Sequence, residues 1–166
     1  PTMRYPHKAL GETTHAGSLH VLVAIGNGKF QEIVHELPFT RVFEDRIPRL
    51  FDLDGDGRDE IVLVESEALQ GSATVVYALK TSATANSKKV LPQIVERARS
   101  PQTGSTFRWL NPVGVADFDS DGKLDIASVI TPHIGGLLTL YRFVPPKLEP
   151  FAQAMDTSNH RMGDLE

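Results

Sequence analysis

Two nine-residue stretches constrain this chain more than anything else in it. The first runs Asp52-Leu-Asp-Gly-Asp-Gly-Arg-Asp-Glu60 and the second Asp117-Phe-Asp-Ser-Asp-Gly-Lys-Leu-Asp125. Carboxylates at alternate positions repel one another unless a cation neutralises them. Hard divalent cations with oxygen ligands do so, and Ca²⁺ best tolerates crowded, irregular geometry. Each loop offers five donors: Asp52, Asp54, Asp56, the Arg58 carbonyl and Glu60 in one, and Asp117, Asp119, Asp121, the Lys123 carbonyl and Asp125 in the other. Gly57 and Gly122 occupy the matching turn position, where a Cβ is resisted. An EF-hand needs a bidentate Glu at loop position twelve. Leu63 and Ser128 stand there, so these are not EF-hands. Both loops run instead into β-rich segments of strand length, Ile61–Val64 and Ile126–Ile130. A solvated acidic turn explains one such loop. Two in the same setting favour calcium.

The repetition extends beyond the loops. Ser18–Ile25, Ser72–Leu79 and Gly136–Phe143 align without gaps, and a second set follows: Phe30–Val34, Leu91–Val95 and Leu148–Ala152. One unit therefore reads apolar strand, Asp loop, strand, Gly turn, strand, turn, strand. Gly26-Asn27-Gly28 predicts a tight hairpin. Gln70-Gly71 and Gly135-Gly136 predict turns between second and third strands. Pro92 and Pro150 mark the fourth strands as edges, where a missing donor is tolerated. Lys80 to Lys89 reads as a lengthened surface loop. The expected fold class is all-β, with four antiparallel strands per unit and units of about 40 to 65 residues, the signature of propeller blades.

The two Asp loops, each followed by an apolar strand and a Gly turn, resemble the FG-GAP/VCBS repeats of integrin-α-like β-propellers. The resemblance covers about residues 47–79 and 112–143, and the Phe-Gly and Gly-Ala-Pro signatures are not clearly present. It implies one Ca²⁺ in each loop joining the first two strands of a blade, held by the ten residues named above. Glu60 departs from the more usual Asp. One partial propeller domain is expected over 1–166: a partial blade at 1–37, blades at 38–98 and 106–155, and a tail or the start of another blade at 156–166. About three blades cannot close a ring of four to eight. The chain opens Pro1-Thr-Met-Arg and finishes Leu165-Glu166, which looks like a cloning scar, so a piece of a longer protein is expected. Homo-oligomerisation through open edges is expected too, with Val62, Val64, Val75, Leu138 and Leu140 as candidates to line the open faces.

Composition narrows the function classes. The net charge of −4, much of it in the Asp loops, leaves no electrostatic footprint for nucleic acid. The absence of cysteine excludes disulfides, thiol catalysis and thiolate metal sites. No apolar run approaches the roughly 18 residues of a membrane span. Enzymatic signals are weak. Pro6-His7 and Pro132-His133 recur at comparable places but are equally explained by turn chemistry, and His160 reads as a surface residue. Glu65 and Glu67 have the spacing of a same-face acid/base pair, although a solvated edge or channel face is the plainer reading. Trp109 is expected to plug a gap between blades, with Arg108 snorkelling beside it. The favoured function is a non-catalytic, calcium-binding module that scaffolds or recognises a protein or glycan. The alternative is a hydrolase or lyase fragment with an axial channel site. Calcium loops with the weak affinity of extracellular modules, roughly 10⁻⁴ to 10⁻³ M, point to an extracytoplasmic location.

Overall fold

The computed structural model describes residues 2–4, 14–45, 47–82, 91–106 and 108–159. The described residues form thirteen strands and no helix: β1 (Thr2–Arg4), β2 (Thr14–Ala16), β3 (Ser18–Gly26), β4 (Lys29–Glu36), β5 (Arg41–Phe43), β6 (Arg49–Phe51), β7 (Glu60–Glu67), β8 (Gly71–Ser82), β9 (Leu91–Arg99), β10 (Leu110–Ala116), β11 (Asp125–Ile130), β12 (Leu137–Val144) and β13 (Lys147–Ala154). The all-β expectation holds, and no helix among the described residues is long and apolar enough to cross a membrane.

Two antiparallel meanders make up most of the fold. In one, β5 and β6 pair with β7, which pairs with β8, which pairs with β9. In the other, β10 to β13 pair in sequence order. A single parallel bridge, Lys147 with Arg99, joins the fourth strands. Pro92 and Pro150 lie in those strands, opposite Thr81 and Tyr141. The hairpin β3–β4 forms a ribbon of its own, turning at Asn27 with φ 52° between two glycines that also have positive φ.

Alternation along the strands sorts the side chains into layers. Ile61, Leu63, Ala73, Val75 and Tyr77 project from one face of the first meander and pack with Leu19 of the ribbon and Phe43. Val62 and Val76 project from the other face and meet Ile126, Tyr141 and Leu148 of the second meander. Val64 joins Trp109 and Leu110, so Trp109 does fill a gap between the meanders. The order is ribbon, first meander, second meander. This explains why β7 is almost entirely buried: both its faces are covered. Val62, Val64 and Val75, expected to line an open face, lie between layers instead, fully buried.

The two meanders repeat one another down to their irregularities. Each carries a register shift between its third and fourth strands, at Val76/Tyr77 in one and Leu140/Tyr141 in the other. These are equivalent positions in the gap-free alignment, so the bulge belongs to the repeat. The ribbon requires a correction. Under that alignment Leu19 and Val21 match Ala73 and Val75, which face the preceding layer, yet Leu19 and Val21 face the following one. A one-residue slip turns every side chain to the other face. Shifting the first copy by one residue restores the pattern and makes Gly17, Ser72 and Gly136 equivalent. Their carbonyls accept from the amides of Leu37 (2.9 Å), Thr103 (3.0 Å) and Thr157 (2.9 Å), each just beyond its fourth strand.

The first strand of the first meander is split, which the sequence did not foreshadow. Glu44 still bonds the Val64 carbonyl through its amide, but the Val64 amide donates to the Asp45 carboxylate at 2.7 Å, and pairing with β7 resumes only at β6. Arg49 pairs with Asp45 at 2.9 Å. Burial nevertheless dominates and raises the Asp45 pKa, against the pull of Arg49 and the amide. The folded state then holds this proton more tightly than the unfolded chain. Stability present below about pH 4, the ordinary Asp value, is lost as pH rises through the raised one. Asp45→Asn should remove that part of the slope in urea midpoints measured from pH 4 upward.

Candidate metal centres

The two Asp loops adopt one backbone conformation, and the sequence explains why. Gly57 (φ 83°) and Gly122 (φ 85°) occupy the left-handed turn position, where the open surroundings leave conformation as the only reason for glycine. In each loop the glycine amide donates to the first Asp: Gly57 to Asp52 Oδ2 at 3.0 Å and Gly122 to Asp117 Oδ2 at 2.9 Å. The next amide donates to the third Asp, Arg58 to Asp56 and Lys123 to Asp121, both at 2.9 Å. The last carboxylate reaches back across the loop. Glu60 Oε2 accepts from the Leu53 amide at 2.9 Å, and Asp125 Oδ2 from the Phe118 amide at 3.3 Å. The extra methylene of Glu60 thus gives the tighter closure.

These bonds pull the carboxylates together. Asp52, Asp54 and Glu60 each bring an oxygen within 4.8 Å of the others, as do Asp117, Asp119 and Asp121. Asp56 and Asp125 belong to the same loops but fall outside these groupings. One oxygen, Asp52 Oδ1, is buried without a hydrogen-bond partner. Glu60 and Asp125 are both buried to about 2% exposure, and burial raises the pKa of each. A closely placed cation would reverse that shift.

Two arginines complete the loops, and neither was apparent from the spacing of the Asp residues. Arg97, at the bulge on β9, bonds Asp54 at 3.0 Å and lies 3.5 Å from Glu60. Arg142, on β12, bonds Asp119 and lowers its pKa, chiefly through that hydrogen bond. The contacts match, yet the arginines come from non-equivalent strands. Each also rests on an aromatic ring, Arg97 on Phe143 at 5.5 Å and Arg142 on Phe151 at 4.7 Å. Because Phe143 belongs to the second meander, Arg97 links loop and layers. The loops flank a shared cleft of about 380 Å³, walled by Asp52–Gly55 on one side and Gly122–Leu124 on the other, with Arg97 and Phe143 between them.

The candidate acid/base residues are committed elsewhere. Glu65 is 2% exposed rather than solvated. It accepts from the Tyr77 hydroxyl and from Arg99 at 2.9 Å, with Arg41 3.8 Å away. Glu67 takes Arg41 at 3.1 Å and Gln102 at 3.1 Å. Burial and then the Glu65 charge push the Tyr77 hydroxyl upward, so it remains a proton donor. His133 stacks on Trp109 at 5.8 Å and 17°, a packing role. Arg108 is exposed, and its carbonyl accepts from Ser72 and Thr103. His7 and His160 lie outside the described residues. Comparison with known protein families, curated proteins and solved structures finds no match.

Proposed function

We propose that this chain is a calcium-binding repeat module of β-propeller type, in which the two meanders are blades and each Asp loop holds one Ca²⁺. The observation that carries the reading is the shared hydrogen-bond scheme of the two loops. It is kept although the loops differ at five of their nine positions, the closing carboxylate, Glu60 against Asp125, among them. It also leaves carboxylate oxygens facing one another in both. Such convergence costs energy without a cation and stabilises once one is bound. The face-to-face packing of successive four-stranded meanders supports the blade assignment.

On this reading the module is a non-catalytic scaffold or a protein- or glycan-recognition domain, working outside the cytoplasm where millimolar calcium fills weak sites. Glu65, the best placed internal carboxylate, is sealed between layers and already bonded, which favours binding over catalysis. Titration calorimetry tests the metal assignment. Two Ca²⁺ per chain are expected for the native protein, and one for either Asp54→Ala or Asp119→Ala. A flat titration of the native chain would contradict the proposal.

A further inference from the structure

We propose that Ser18, His20 and Glu32, on the outer face of the β3–β4 ribbon, form a nucleophilic relay that takes acyl groups from small uncharged esters. The relay stands apart from the two Asp loops, so the proposal goes beyond the calcium reading and does not depend on it. Strand alternation supplies the parts. Ser18 and His20 are two residues apart on one face of β3, and Glu32 lies diagonally across from His20 on β4, opposite Leu22. The Ser18 hydroxyl is 2.9 Å from Nε2 of His20, and Nδ1 of the same ring is 2.9 Å from Glu32 Oε1. An ionised carboxylate can only accept, so the Glu32 bond keeps the ring proton on Nδ1. Nε2 then faces the Ser18 hydroxyl with its lone pair. A hydroxyl, a base and a group that orients the base, each within reach of the next, are the parts that activate a serine.

The surroundings select the substrate. Val34, opposite His20, is 44% exposed and Leu22 is 67% exposed, so each offers apolar contact to a short acyl chain beside the relay. Glu32, and Glu36 opposite Ser18, repel a negatively charged ester. The Leu37 amide donates to the Gly17 carbonyl, which makes those two residues a hydrogen-bonded pair. Antiparallel alternation then turns the amides of Ser18 and His20 to the other edge of β3, which pairs with no strand among the described residues. They are the donors nearest to an oxyanion formed at Ser18. In the first step Ser18 Oγ bonds to the ester carbonyl carbon and its proton passes to His20 Nε2. The bond to the leaving oxygen breaks, and that oxygen takes the proton from Nε2 and departs as the alcohol. Water, giving a proton to Nε2, then attacks the acyl-serine; Oγ recovers the proton and the carboxylic acid leaves.

The test treats the full chain with an alkyl fluorophosphonate, which phosphonylates activated serines with loss of fluoride, and follows the adduct by mass spectrometry. One adduct per chain is expected, on the peptide that contains Ser18, and none on Ser18→Ala. His20→Gln should slow labelling by about 100-fold or more, the usual contribution of a general base. Glu32→Gln, whose amide can donate to Nδ1 and favour the wrong tautomer, should slow it by about tenfold or more. All three side chains lie on the face turned away from Leu19 and Val21, so the substitutions leave the core intact. Hydrolysis of p-nitrophenyl butyrate should fall in the same order. A native chain that takes no adduct, an adduct on another residue, or His20→Gln labelled at the native rate would overturn the proposal.

Discussion

Removing calcium is expected to lower the melting temperature of this chain by roughly 10–20 °C. Linkage sets the size of the effect. A site whose ligand is present at about 100 times its dissociation constant contributes about 2.7 kcal/mol, and two independent sites contribute about twice that. For a chain of this length about 1 kcal/mol moves the midpoint by about 2–4 °C. Each loop connects the first and second strands of its meander, and their side chains Leu53 and Leu124 enter the core between the meanders. Ion binding should therefore stabilise the whole two-meander unit and not merely the loop. Scanning calorimetry in chelator and in millimolar calcium reads the shift directly. Restoration by Ca²⁺ after chelation is part of the expectation, and superimposable scans would refute it.

The second large effect should come from Glu65→Ala. That carboxylate holds the Tyr77 hydroxyl and the Arg99 guanidinium, with its own side chain 1% exposed and that of Arg99 21% exposed. Deleting it leaves the buried Tyr77 hydroxyl without its acceptor and takes one of two carboxylates from Arg99, which keeps Glu96 at 2.9 and 3.0 Å. A buried donor left unsatisfied costs about 1–3 kcal/mol, and more where a charged group takes part. Glu67→Ala, two residues along the same strand, is the control. Glu67 is more exposed, and its loss should cost about 1 kcal/mol or less. Urea unfolding of both variants makes the comparison, and equal losses would show that the Glu65 network contributes no more than a surface contact.

Much of the fold was legible because it follows from short-range chemistry. The Asp-Gly loops, the Gly26-Asn27-Gly28 hairpin and the apolar strands after each loop all appear where their residues place them. What escaped depends on partners distant in sequence. The split between β5 and β6 arises because the Asp45 carboxylate takes a bond that a backbone carbonyl would otherwise accept, and nothing in its neighbours announces that. The ribbon alignment failed by one residue because Leu19–Ile25 is apolar at nearly every position, so its sequence suits either face. Glu65 and Glu67 share a spacing but not a fate: their burial is decided by β8 and β9, and by Arg99 above all. At the candidate metal loops, the carboxylates could be read directly. Arg97 and Arg142 could not, since each reaches its loop from a different strand.

Those two guanidinium groups change what arrival of an ion would mean. Asp54 and Asp119 already hold a positive group. A divalent ion entering either loop on the proposed reading thus exchanges with a resident cation instead of filling an empty acidic bowl. Affinity becomes a difference between two attractions, which tunes it downward without deleting a ligand. Arg97 rests on Phe143, across the junction of the meanders, so on that reading loading of the first loop would be felt at a boundary between layers. An ion-free chain, meanwhile, is spared the full repulsion of its own carboxylates. On the proposed reading each arginine is a placeholder that would keep its loop in shape ahead of the metal.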